Sequence, residues 1–322
     1  MAIPKVSLVF TSFNHREYLT QALDALLGQT FRDFELIIVD DCSTDGSQQI
    51  LQEYASRDSR IRLFLNEYNS GNYVYSTNQG FTYAKAPYIV FAQCDDYAET
   101  TQLERMVKIL DCRHEVGVVF CASRMVDERG LVLGEDYDVR EKVFRNECIA
   151  DTFIPGVQMR YYLLHSCTIP NLSAAMIRRE LFERYGGLSN RYLVLADWDF
   201  WLKTTLETDF YYLREPLNNF RQHRTTIRAS IKIKRQIEEL LQMYYDFFRL
   251  SNMRFKDSWR WKNRIARIWL DYYTQGVKAW FGALFPLLRV SVGYDFYLPL
   301  LLVLQVGRGM VQGIGHKIGI VK

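Results

Sequence analysis

Nothing in this chain of 322 residues supplies a disulfide framework or a zinc knuckle, because its six cysteines (Cys42, Cys94, Cys112, Cys121, Cys148 and Cys167) form no C-x-x-C pair. They read as small hydrophobes, mostly buried, in a reducing compartment. The N-terminus "MAIPKVSLVF" lacks the basic, then apolar, then small-residue order of an export signal and runs directly into a strand-like segment. A cytoplasmic location is therefore expected. No apolar run reaches the roughly 18 residues of a membrane span, and Pro286, Arg289, Asp295 and Pro299 interrupt the apolar stretch near the C-terminus. Internal repeats and low-complexity segments are also missing. With 48% hydrophobic and 24% charged residues, the composition is that of an ordinary folded protein.

Net charge is only +3, but it is unevenly spread. The stretch from Ile231 to Lys322 holds 15 basic and 6 acidic residues, which leaves 25 basic and 31 acidic residues before it. An acidic body carries a basic tail, and that asymmetry points to an anionic partner for the tail.

Hydrophobic periodicity organises the body. "KVSLVFTSF" reads as a strand, and "REYLTQALDALLGQT" as a helix with Tyr18, Leu19, Ala22, Leu23, Leu26 and Leu27 on one face and Gly28 at its stop. "FELIIVDD" is a continuously apolar strand, "STDGSQQILQEYA" a helix opened by capping residues, "RIRLFLN" and "PYIVFAQ" two further strands around the loop and helix of "GNYVYSTNQGFTYA". Further on, "VGVVFCASRMVD" is strand-like, "YYLLHSCTIPNLSAAMIRRELFERYGGL" contains a strand and then a helix stopped at Gly186-Gly187, and "DWDFWLKTTLE" begins a helix with acids in its first turn. Strands alternating with helices predict an α/β fold, a Rossmann-like, mostly parallel sheet flanked by helices. Beyond "RQHRTTIRAS" the pattern turns helical, which divides the chain into residues 1–230 and a helical region 231–322.

In such a sheet, ligands bind outside the carboxyl ends of the strands. Three polar clusters fall there: "TSFNHREY", Asp40-Asp41 with "CSTDGS", and "QCDDYAE". Capping of the next helix would explain Asp41 and Ser43 one at a time, though not the three clusters together. The run from Val6 to Gln52, followed in order by "NSGNYVYSTNQGF", "YIVFAQCDD" and "LADWDFWLK", resembles the family 2 glycosyltransferases, inverting enzymes of the GT-A fold. The resemblance covers about the first 230 residues and fades in the tail.

It implies transfer of a sugar from a nucleotide-diphosphate donor to an acceptor hydroxyl, in cell-surface polysaccharide, O-antigen or glycolipid biosynthesis. Asp95 would hold a divalent cation, Mn2+ or Mg2+, against the leaving diphosphate, with His223 of the Arg-x-His-like "RQH" completing the metal shell. The family's usual first acid is Gln93 in this chain, which adds no charge, so metal affinity is expected to be lower. Asp197 stands where the family places its general base, although Ala196 replaces the acid before it; Asp199 fits a helix-terminus or acceptor-positioning charge better. Arg221 or Arg224 would neutralise phosphate oxygens. For the nucleotide, the resemblance points to Thr11, Phe13, Asn14 and Asp40, with Asn72 in a glycine-containing wall from Asn69, and with Gln93 near the ribose. A UDP-sugar is favoured, with dTDP- and GDP-sugars as alternatives.

Competing readings are set aside on particular residues. A sugar nucleotidyltransferase needs a glycine-rich loop after its first strand, and "TSFNHREY" has no glycine. A processive synthase would carry Gln-x-x-Arg-Trp, and "DSWRWKN" lacks that glutamine. A catalytically inactive, glycan- or sugar-nucleotide-binding scaffold of the same fold is the alternative raised by Gln93 and Ala196. In the tail, "RFKDSWRWKNRIARIW" (254–269) carries six basic residues and three tryptophans. Such a segment suits peripheral attachment to the inner face of the membrane and a lipid-linked acceptor, or else a helical cap packed on the catalytic domain or on a second subunit of a homo-oligomer. No nucleic-acid-binding motif accompanies the charge.

Overall fold

The computed structural model describes residues 3–135, 142–223 and 233–252, with a few isolated positions beyond. Backbone packing divides the chain into two units, Met1–Ile231 and Lys232–Lys322. In chain order the first unit runs β1 (Val6–Ser12), α1 (Arg16–Leu27), β2 (Phe34–Asp40), α2 (Ser47–Arg57), β3 (Ile61–Leu65), α3 (Tyr73–Tyr83), β4 (Tyr88–Gln93), β5 (Tyr97–Ala98) and α4 (Gln102–Cys112). It continues through β6 (Val116–Val126), β7 (Val132–Glu135), α5 (Lys142–Glu147), β8 (Thr152–Ile154), α6 (Gly156–His165), β9 (Ala175–Arg178), α7 (Arg179–Tyr185), α8 (Ala196–Thr204) and β10 (Asp209–Arg221). All six cysteines are free thiols, and Cys94, Cys121, Cys148 and Cys167 are buried.

The ten strands form one sheet, ordered β3-β2-β1-β4-β9-β6-β10-β5, with β7 on β6 and β8 on β10. Strands β1, β2, β3 and β4 are parallel neighbours, as are β6 and β10, and β9 lies antiparallel between β4 and β6. The register aligns Ser12 with Asp40 and Thr11 with Gln93, so the polar ends of three strands finish side by side.

The two faces separate by residue parity. Val6, Leu8 and Phe10 of β1, Phe34, Leu36 and Ile38 of β2, and Val90 of β4 pack with Leu19, Leu23 and Leu26 of α1, Leu51 of α2 and Met106 of α4. The odd-numbered face carries α3 and α7. A Cβ on Gly80 of α3 would lie only 2.6 Å from Val9 Cγ1, so glycine lets α3 press onto β1. Phe182 of α7 packs tilted against Phe91 of β4 and Phe81 of α3 at centroid distances of 4.6 and 4.5 Å.

Two local expectations change. The segment read as a strand and then a helix contains both, β9 and α7, but it opens with "YYLLH", the last part of helix α6, in which Met159, Tyr162 and Leu163 are buried. The cap position of α2 is Gly46, which offers no side chain; Asp45 just ahead of it accepts from the Ser47 N–H at 3.0 Å, and Asp41 and Ser43 bond elsewhere. In the second unit the described helix is α9 (Ile233–Leu250), with Tyr244, Tyr245 and Phe247 buried. The basic-aromatic stretch 254–269 and the apolar runs after it lie almost wholly outside the described residues. No helix among the described residues is long and apolar enough to cross a membrane.

Candidate active site

A cavity of about 450 Å³ opens at the carboxyl ends of β1, β2 and β4. Thr11, Phe13, Asn72, Gln93, Asp95, Asp197 and His223 all line it, so residues spread over more than two hundred positions meet in one place. Asn14 and Asp40 do not. Asn14 adopts a left-handed backbone (φ 50°), accepts from Thr44 N–H at 2.8 Å and donates its own N–H to Ser43 Oγ at 2.9 Å. It therefore ties the loop after β1 to the loop after β2.

Asp40 is fully buried on the even-numbered face. Its carboxylate accepts from the Ser43 N–H (2.8 Å), Ser43 Oγ (2.6 Å) and Gln48 Nε2 (3.0 Å), and the acid that reaches the cavity is its neighbour Asp41. Asp41 accepts from Ser70 Oγ at 2.8 Å and Asn66 Nδ2 at 3.0 Å, which braces the Asn69–Asn72 wall. Sheet parity is the signal that separates Asp40 from Asp41. A strand buried on both faces shows no polar alternation, so the sequence alone does not reveal it.

The two acids of the "QCDD" turn face opposite ways. Asp95 borders the cavity, and its Oδ2 lies 2.9 Å from His223 Nε2. Burial works against its charge, but the hydrogen bond to His223 and the nearby His15 and His223 outweigh it and hold the carboxyl below the usual carboxylate range. Asp96 points inward, where it accepts from Asn171 Nδ2, Ser173 Oγ and, at 3.1 Å, the Arg221 N–H. Burial first, and then the charge of Asp95, push its pKa upward. One acid serves the cavity while the other pins the turn.

Arg221 was expected on a phosphate and is instead buried, at 2% exposure, with no part in the cavity wall. Its guanidinium donates to the carbonyls of Asp95 (2.9 Å), Asp127 (3.1 Å) and Glu128 (3.0 Å) and lies over the Tyr18 ring. Arg224 lies outside the described residues. Asp197 sits in the first turn of α8 and faces the cavity, whereas Asp199 is buried and paired with Lys203 at 2.6 Å.

His15, which sequence reasoning did not single out, lies against this group. Ligand atoms of His15, Asp95 and His223 fall within 4.8 Å of one another. Both His15 ring nitrogens are shut off from solvent without a hydrogen-bond partner among the described residues, as are the Ser12 and Ser76 hydroxyls and Gln222 Nε2, all on the cavity wall. Three carboxylates (Asp41, Asp95 and Asp197) line the cavity, and no lysine or arginine does among the described residues. Among the described residues, the imidazole–carboxylate group is of a kind that could hold a cation beside an anionic ligand.

Fold and cavity together define a glycosyltransferase of the GT-A class. S. aureus TarS residues 1–349 in complex with UDP-GlcNAc superimposes with a TM-score of 0.68 at 17% identity, covering 92% of this chain and 83% of that one. The mannosyltransferase PcManGT of Pyrobaculum calidifontis, in complex with GDP-Man and Mn2+, gives 0.53 at 18% identity over 77% of this chain and 65% of that one. The chain belongs to glycosyl transferase family 2, whose family model matches residues 7–186. In Bacillus subtilis, TuaG, a glycosyltransferase assigned to teichuronic acid biosynthesis, is 30% identical over 151 residues, 47% of this chain and 59% of its own length. An uncharacterized glycosyltransferase of Methanocaldococcus jannaschii is 23% identical over 97% of this chain and 98% of its own length.

Proposed function

We propose that the chain transfers a sugar from a nucleotide-diphosphate sugar to an acceptor hydroxyl with inversion at C1. The observation that carries this reading is the charge arrangement of one cavity: the Asp95–His223 pair, Asp197, and no described lysine or arginine on the wall. Asp197 takes the hydroxyl proton as the acceptor oxygen attacks C1 from the face opposite the nucleotide. The C1–oxygen bond then breaks, its electron pair leaves with the diphosphate, and a nucleoside diphosphate departs. Asp95 and His223 would hold a divalent cation, Mn2+ or Mg2+, whose charge offsets that of the leaving group. Thr11, Phe13 and the Asn72 wall flank the nucleotide, and the unpartnered Ser12 and Ser76 hydroxyls offer hydrogen bonds to it. The UDP-GlcNAc bound by TarS and the GDP-Man bound by PcManGT support a UDP- or GDP-sugar, and UDP is preferred here.

The acceptor is read as a saccharide or lipid-linked saccharide of a cell-surface polysaccharide, O-antigen or glycolipid, met at the inner face of the membrane through the basic tail. The deciding experiment incubates the chain with UDP- and GDP-sugars and Mn2+ and measures release of free nucleoside diphosphate. Release that chelation abolishes is expected. No release from any donor, with nucleotide still bound, would favour the inactive scaffold.

A further inference from the structure

Resting on the donor-and-cation reading above, we propose that His15 is a third protein ligand of the cation. It stands in for the carboxylate missing at Gln93, and the resulting set of two imidazoles and one carboxylate favours manganese over magnesium. His15 occupies the position just before α1, yet its side chain makes no capping hydrogen bond to that helix. Its Nδ1 and Nε2 are both buried without a partner among the described residues, although buried polar atoms nearly always have one. Its ring meets His223 edge-on at 5.3 Å, and the three ligand atoms lie within 4.8 Å of one another.

Position 93 explains why a further ligand belongs there. Gln93 ends β4 in register with Thr11 of β1, and the chain leaving Thr11 turns back through His15. An acid at 93 would have contributed charge from one side of the cavity; the imidazole contributes a nitrogen from the neighbouring strand end. The exchange changes the metal preference. Magnesium takes oxygen ligands and sheds water reluctantly, whereas manganese, cobalt and zinc bind imidazole progressively better along the divalent series. Two imidazoles and a carboxylate on one side of an ion leave its remaining positions open to diphosphate oxygens.

The alternative role of His15 is packing, since its ring also neighbours Tyr18 at 6.0 Å. His15→Phe keeps a ring there and removes both nitrogens. With the full chain and no donor, Mn2+ binding is followed by electron paramagnetic resonance and Mg2+ by competition. The variant should bind Mn2+ about tenfold or more weakly and lose most of its preference over Mg2+. Adding Gln93→Asp to His15→Phe should restore binding, now with Mg2+ accepted as well. A readout on the unaltered chain covers the case of a variant that does not fold: bound Co2+ should shift imidazole N–H proton resonances from both His15 and His223. Unchanged Mn2+ affinity and preference in folded His15→Phe, or a shifted resonance from His223 alone, overturns the assignment of His15 and leaves the cation reading standing. A wild-type chain that binds none of these ions overturns both.

Discussion

Arg221 donates through Nε to the backbone carbonyl of Asp95 at 2.9 Å, across 126 residues of sequence. The turn that carries Asp95 is thus held in place by a buried guanidinium that takes no part in the cavity wall. Arg221→Lys keeps the charge but cannot reach the Asp95, Asp127 and Glu128 carbonyls together. Leaving one or two of them unsatisfied should cost about 2–3 kcal/mol, read by urea denaturation. Mn2+ affinity measured on the folded fraction should fall as well, because the Asp95 turn loses its anchor.

Asp197 and Asp199 separate by environment. Asp197→Asn should lower turnover about a hundredfold or more while nucleotide binding, measured by calorimetry, stays near wild type. Asp199→Asn breaks the buried pair with Lys203, so its main effect should be a lower melting temperature. Near-wild-type turnover in Asp197→Asn would remove it from the role of base.

Neighbouring acids on β2 and its loop give opposite signatures. Asp40→Ala orphans the Ser43 N–H, the Ser43 hydroxyl and the Gln48 amide, and should destabilise by about 1–3 kcal/mol. Asp41→Ala loosens the Asn69–Asn72 wall and should weaken nucleotide binding more than it lowers the melting temperature. The reverse pattern would return the nucleotide contact to Asp40.

Asp45, in the turn that leads into α2, makes a pH-dependent contribution. Burial raises the Asp45 pKa, but hydrogen bonds from the Ser47 hydroxyl and from the Arg16 and Ser47 N–H groups outweigh it, so the folded value lies below the usual one. A depressed folded pKa contributes stability that is fully present above the unfolded value of about 3.9 and is lost as pH falls through the folded value. Asp45→Ala should therefore cost about 1 kcal/mol at neutral pH. In urea melts the gap between wild type and variant should shrink once the solution is more acidic than the folded pKa.

Membrane attachment is tested on the whole chain. Replacing Arg254, Lys256, Arg260, Lys262, Arg264 and Arg267 by glutamine should reduce co-sedimentation with anionic vesicles several-fold at low salt. Wild-type chain that stays in the supernatant, in a salt-independent way, would leave packing against another subunit as the role of the tail.

The fold was largely legible because continuous apolar runs and helical spacing mark β1, α1, β2, β4 and α8 directly. Strands β5 and β8 span two and three residues and take their form from the strands they join, which no local pattern encodes, whereas β9 and α7 fall where a strand and a helix stopped at Gly186 were read. At the site, Asp95, Asp197 and His223 were found through motifs, and the structure brings them to one cavity. Asp40 in place of Asp41 was a matter of which way a doubly buried strand faces. The resemblance put Arg221 or Arg224 on a phosphate; only tertiary contacts show the donors of Arg221 already engaged. His15 sits inside a loop motif that reads as nucleotide-facing, and its nearness to His223 depends on strand β10 arriving beside it.

That late arrival sets an order of events during synthesis. Asp95 emerges from the ribosome 128 residues ahead of His223, a delay of roughly 6–25 s at typical elongation rates. Over that interval the acidic turn has neither the imidazole nor the β10 backbone that hold it. A nascent chain that has completed β1 to β4 can therefore build the floor of the cavity, yet Asp95 stays without its imidazole partner until β10 has been made.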